Sequence, residues 1–131
     1  MPELNWVAIA VAAVVMLVVS TLYYIVFTSQ LKRLSAAYAD ANGSPEPWKV
    51  AVELVRSFIV GTVVAGLVSL IGVPDISGAI QLGLALWIGF PVVLLTGSVI
   101  WEKVPPMLSA IHSGDWLLKL VIITVIVSLW R

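Results

Sequence analysis

The chain has 131 residues, 61% of them hydrophobic and 11% charged, about half the charged share of a soluble domain, so a water-facing surface could hardly be covered. Seven basic and seven acidic residues cancel, and the basic ones form no stripe interleaved with aromatics, which leaves nucleic-acid binding without support. The lack of Cys excludes disulfide frameworks, thiolate nucleophiles and Cys-based metal sites, and one His without clustered carboxylates argues against a protein-only metal site.

The N-terminus has no basic region, and its apolar run exceeds the roughly 7 to 15 residues of a signal peptide, so it reads as a retained first span. That span covers about Leu4 to Phe27 and is uncharged from Asn5 through Ser29. Roughly 20 apolar residues suffice to cross a bilayer's hydrocarbon core. Ala8, Ala12 and Ser20 share one helical ridge with Met16 and Tyr24, which predicts a close helix contact. Trp6 at one end and Tyr23 with Tyr24 at the other fit interfacial aromatic belts.

Residues 28–49 turn polar and read as the one substantial water-exposed loop. Its LKRLSAAYADA stretch is compatible with the first helix continuing outward and ending near Asn42-Gly43. Ser44 then reads as an N-cap with Pro45 at the first helical position of the next span.

The second span, about Val50 to Gly72, is the one long apolar run that carries opposite charges in its first turns, Glu53 and Arg56. Steps of four from Glu53 reach Ser57, Gly61, Ala65 and Ser69, a small ridge on which other helices are expected to pack. A short turn, Val73 to Ser77, with Ser77 as the expected cap, implies that spans two and three form a tight central antiparallel hairpin.

The third span, about Gly78 to Trp101, contains the packing candidates Gly83 and Gly89 and a proline, Pro91, whose missing donor and clash with the Trp87 carbonyl predict a kink. Pro105-Pro106 then stops the helix, Met107 to Asp115 reads as a mixed interfacial segment, and the last span is Trp116 to Trp130. Those fifteen residues give roughly 22 Å of helix, short of a full crossing.

The positive-inside rule orients the chain. Lys32, Arg33 and Lys49 lie between spans one and two, Lys103 and Lys119 near the link between three and four, and the intervening turn has no Lys or Arg. Both termini are therefore expected outside the cytoplasm.

Glu53 and Arg56, three residues apart, can pair within the helix, either to pin its start or as part of a polar pocket. With this topology Tyr23, Tyr24, Glu53, Arg56, Ser57, Ser98, Glu102, His112 and Lys119 fall in one half, which allows an inward vestibule. The plainer expectation is that any interface collects such residues. His112, three residues from Asp115, is a proton-acceptor candidate, though a solvated loop histidine is the simpler reading. No Gly-x-Ser-x-Gly or other nucleophile motif occurs. Five tryptophans, Trp116 among them, fit interfacial anchors, whereas Trp87 falls mid-span against the Pro91 kink, a candidate to line a cavity or lipid-facing groove, with packing into the space left by Gly83 and Gly89 the plainer expectation.

Asn5-Trp6 opening a small-residue span, Leu22-Tyr23-Tyr24 closing it, Trp87-Ile88-Gly89-Phe90 in the third span and a final Leu129-Trp130-Arg131 together resemble the small bacterial membrane proteins catalogued as domain of unknown function 1761. The resemblance covers nearly the whole chain. It implies a four-helix membrane fold and no activity. Tyr23 departs from the Trp-Tyr pair that the resemblance implies there.

The expected fold is one all-α integral membrane domain of four transmembrane helices over residues 1–131. A structural or accessory role without catalysis is the first expectation, with a small channel or transporter near Glu53 and Arg56 as the alternative. Membrane lipid and a homo-oligomer or membrane-protein partner are the expected company. No catalytic residue, cofactor or metal is assigned.

Overall fold

The computed structural model describes residues 3–39 and 46–130, and every regular element in them is an α-helix. In order these are α1 (Trp6–Val26), α2 (Thr28–Leu34), α3 (Ala36–Ala39), α4 (Pro47–Ile71), α5 (Ile76–Gly89), α6 (Pro91–Glu102) and α7 (Pro106–Leu129). Taking α5 and α6 as one interrupted rod, four helices of 21, 25, 27 and 24 residues are long and apolar enough to span a membrane. The fold is an all-α bundle of these four.

Local chemistry sets the ends. The Asn5 carboxamide accepts from the Ala8 amide at 3.1 Å and caps α1. α1 bends into α2 at Phe27, and Ser35, in extended backbone, separates α2 from α3, so the expected uninterrupted helix out to Asn42-Gly43 is broken; those two residues lie outside the described ones. Ser44 and Pro45 lie outside them too. α4 begins at Pro47, with Glu46 in the cap position, because proline's fixed φ suits the first helical residue.

α4 ends at Gly72, whose left-handed φ of 75° closes the last turn. Asp75, rather than Ser77, then caps α5, its Oδ1 accepting from the Gly78 amide at 2.8 Å. The rod breaks at Phe90, one residue before Pro91. Lys103, at φ 57°, ends α6, and Pro106 takes the first position of α7, so the proline pair starts a helix as well as stopping one.

α7 alters the expected architecture. It is a 24-residue helix, roughly 36 Å long, and the segment from Met107 to Asp115 belongs to it. It is also the hub: α1, α4, α5 and α6 all pack on it. α4 and α5 share a tight turn yet do not pack along their lengths, so the expected central hairpin is absent. A short turn fixes relative direction; the packing surfaces decide which helices touch.

Those surfaces are the small-residue positions. A Cβ on Gly83 would lie 2.9 Å from Thr124 Oγ1 and 3.1 Å from the Leu120 carbonyl oxygen, so α5 and α7 cross at backbone contact. A Cβ on Gly61 would meet Ile123 of α7 at 2.9 Å and Ile9 of α1 at 3.2 Å. Ala65 is buried beside it. Steps of four advance about 40° around a helix, so the buried row drifts from Ser57, Gly61 and Ala65 toward Val64 and Val68, leaving Ser69 half-exposed. A Cβ on Gly89 would meet nothing within 4 Å among the described residues, so the expected close helix packing is not found there.

Ile9, Ala12, Met16, Val64, Val68, Ala79, Leu120, Ile123 and Val127 form the core between α1, α4, α5 and α7. Outward rows such as Val7, Val11, Val14 and Val18 on α1 and Val52, Val55, Ile59 and Val63 on α4 remain exposed.

Candidate functional site

α1 and α4 run antiparallel and meet tightly at Ile9 and Gly61. Toward the C-terminal end of α1 an open cavity of about 790 Å³ lies between them. Leu17, Ser20, Thr21, Tyr24 and Ile25 of α1 form one wall, and Trp48, Lys49, Val52, Glu53, Arg56 and Ser57 of α4 the other. His112, Asp115, Trp116 and Lys119 of α7 form the floor, with Lys32 of α2 and Tyr38 of α3 at the outer end.

The floor is a connected polar network. Asp115 and Lys119, one turn apart on α7, pair at 3.0 Å with side chains only 3% and 10% exposed. The Asp115 carboxylate also accepts from Ser20 Oγ at 2.6 Å. The Tyr24 hydroxyl stands 2.7 Å from His112 Nδ1 and 3.4 Å from Asp115 Oδ2. It has one proton: given to Asp115, it leaves His112 to donate through Nδ1–H; given to His112, it leaves the carboxylate to Ser20 and Lys119. Lys119 also lies 4.9 Å from the centre of the Trp116 ring.

A buried ion pair of this kind stands only where further hydrogen bonds satisfy the carboxylate. Ser20 supplies one, because the ridge of α1 that buries Ala8, Ala12 and Met16 brings Ser20 and Tyr24 over α7 one and two turns later. Tyr23 points beside it, donating to the Ile111 carbonyl at 2.6 Å. Its hydroxyl fills the position a Cβ on residue 114 would take, which is why Gly114 separates Ser113 from Asp115.

Glu53 and Arg56 form an ion pair within α4, and both line the groove. Between this pair and Lys119, beside Ser57 and Trp116, a void of about 10 Å³ has room for roughly one water. Tyr38 stacks on Tyr24 with ring centres 6.4 Å apart, closing part of the outer end. Burial first, then the nearby Asp115 and Glu53 charges, raises the Tyr38 pKa, so its hydroxyl stays a neutral hydrogen-bonding group.

Of the expected polar residues, Tyr24, Glu53, Arg56, Ser57 and His112 converge here. Trp87 does not: its indole donates to the Ser113 carbonyl at 2.8 Å and braces α5 against α7. Ser98 and Glu102 also stand outside the groove lining. His112 is no loop histidine, since it sits in α7, half-buried and bonded to Tyr24. Trp116 is likewise mid-helix rather than an interfacial anchor, and Lys119 is a bundle-interior cation. Ser20, expected only as part of a packing ridge, is a polar partner of Asp115, and Tyr38 joins the site with no sequence signal of its own. The available signal was His112, Asp115 and Lys119 on one helical face, but it is visible only when the helix is known to start at Pro106.

The network can hold charge and exchange hydrogen bonds. Ser20 donates to a carboxylate already engaged by Lys119, and the Tyr24 hydroxyl faces His112. Among the described residues no three His, Asp or Glu side chains gather as a metal site.

A family model described as "Protein of unknown function (DUF1761)" matches residues 7–128. The chain belongs to this family. No match was found among curated proteins or among solved structures.

Proposed function

We propose that the chain is a multi-pass membrane protein that works without catalysis, as a binding or accessory subunit presenting its groove at the cytoplasmic face. The observation that carries this reading is that the groove is one-ended. Beyond Met16 and Ser57, the space between α1, α4 and α7 is filled by Ile9, Ala12, Val64 and Ile123, each 3% exposed or less, so among the described residues the groove does not continue between these three helices. Lys32, Lys49 and Lys103 at the groove end support the cytoplasmic assignment, and both termini then lie on the other side. Gly66, Gly89 and Gly97 meet no atom within 4 Å and leave flat strips on which a second copy or another membrane protein would pack.

A second reading, a small transporter, is favoured by one observation: Asp115 and Lys119 lie within about 4 Å of the midpoint of α7 along its axis. Intramembrane charges at such depth commonly mark ion or proton paths. Purified protein in liposomes separates the two. A binding subunit resists alkaline extraction and passes neither protons nor small ions; flux abolished by Glu53→Gln and by Asp115→Asn would establish the transporter instead.

A further inference from the structure

The groove carries cations along its length and apolar residues at its rim. Lys32 and Lys49 line its outer part, Arg56 stands two turns further along α4 beside Ser57 at the closed end, and Leu17, Ile25 and Val52 give the groove an apolar track. Ile25 and Val52 stand on opposite walls and are 61% and 45% exposed, so the lips of the opening are themselves apolar and face whatever surrounds the bundle. At about 790 Å³ the space falls within the range of small-molecule sites.

Charge is unbalanced in the same place. Among the groove-lining residues Lys32, Lys49, Arg56 and Lys119 face only Glu53 and Asp115. Both carboxylates are committed, Glu53 to Arg56 and Asp115 to Lys119. Lys32 forms no ion pair among the described residues, and Lys49 has only an exposed contact with Glu46 at 4.0 Å. Arg56 gives its Nη1 to Glu53 and keeps further N–H groups for an anion. Trp48 and Tyr38 flank these cations with aromatic faces that suit the boundary between headgroup and acyl chain.

We infer that this groove binds an anionic phospholipid from the surrounding leaflet, its phosphate held by Lys32 and Lys49 and one acyl chain laid along Leu17, Ile25 and Val52. The inference rests on the reading of the chain as a membrane-embedded binding protein and names the ligand of that site. A soluble anion would satisfy the cations but leave the apolar lips and track uncovered. A zwitterionic lipid would bring its own cation against Lys32 and Lys49.

The test is a binding titration of the full chain in mild detergent with four probes: short-chain phosphatidylglycerol, phosphatidylcholine of the same chain length, glycerol phosphate and inorganic phosphate. Phosphatidylglycerol is expected to bind tightest. Lys32→Gln and Lys49→Gln, both on exposed side chains, are each expected to weaken it about five-fold, with the phosphatidylcholine affinity unchanged. Leu17→Trp, which fills the apolar track, is expected to weaken the lipid but not the two water-soluble anions. Equal affinity for the two lipids overturns the inference, as does a phosphatidylglycerol affinity indifferent to both lysine changes. Inorganic phosphate binding as tightly as phosphatidylglycerol would assign the site to a soluble anion and overturn it as well. The wild-type lipid comparison decides the matter even if a variant fails to fold. Failure of the underlying reading is seen separately, since the chain would then be stripped from vesicles at alkaline pH.

Discussion

The Tyr24 hydroxyl lies 2.7 Å from His112 Nδ1, although 88 residues separate them in the chain. The bond ties the last turns of α1 to the second turn of α7, and it makes the single histidine a reporter of that junction. Tyr24→Phe is expected to move the His112 ring resonances and to cost about 1 kcal/mol of stability. Tyr23→Phe removes only the bond to the Ile111 carbonyl and is expected to leave those resonances nearly in place. A histidine signal indifferent to Tyr24→Phe would mean that the junction does not form.

Asp115 and Lys119 are buried and paired, so each holds the other's charge in place. Asp115→Asn or Lys119→Met alone leaves one charge stranded and is expected to cost about 3 to 5 kcal/mol. Changing both together removes the stranded charge. The double variant is expected to be more stable than either single one, as read from denaturant unfolding in detergent. Additive losses would show that the two side chains act independently.

Glu53 and Arg56 contrast with that pair because they are 39% and 57% exposed on the groove wall. Breaking this pair by Glu53→Gln is expected to change stability by no more than about 1 kcal/mol, and Glu53→Gln with Arg56→Gln by a similar amount. Thermal unfolding of the two variants checks this. A loss as large as that at Asp115 would move Glu53 into the structural core.

The glycines divide by what surrounds them. Gly83→Ala drives a methyl group toward Thr124 Oγ1 and the Leu120 carbonyl and is expected to destabilise by about 1 to 3 kcal/mol. Gly97→Ala, inside α6 with open space around it, is expected to be neutral or to stabilise by about 0.5 to 1 kcal/mol. Equal effects would contradict the close α5–α7 crossing. If Gly97→Ala instead weakens self-association on sizing columns, the open strip is occupied by a second copy.

Much of this fold can be read from the residues, and where the reading stops there is a physical reason. Apolar run length marks four spans, and the Pro91 break follows from one missing amide donor. The extent of α7 is hidden because His112, Ser113 and Asp115 lower the apolar character of its first half and imitate an interface. In the folded bundle His112 and Asp115 are satisfied by Tyr24, Ser20 and Lys119, so they sit inside the bundle. The central hairpin expected from the turn at Val73 is likewise absent, because Gly61 and Gly83 both direct their helices onto α7. At the site, Tyr24, Glu53, Arg56, Ser57 and His112 are visible as polar residues in one half. The Ser20–Asp115 bond and the stacking of Tyr38 on Tyr24 depend on the register between separate helices, which composition and spacing do not encode.

The helix on which α1, α4, α5 and α6 pack follows them in the chain, and Ser20 and Tyr24, which bond its buried Asp115, come from α1. During synthesis α1, α4 and the broken rod emerge before the element that joins them. Until α7 arrives, Ser20 and Tyr24 lack the carboxylate and imidazole they bind, and Gly83 lacks the backbone it packs on. The bundle is therefore completed by its least apolar long helix, for which the other helices present a ready-made polar cleft. A ribosome stalled before Pro106 should expose three loosely associated helices, open to capture by chaperones or by copies of the same chain.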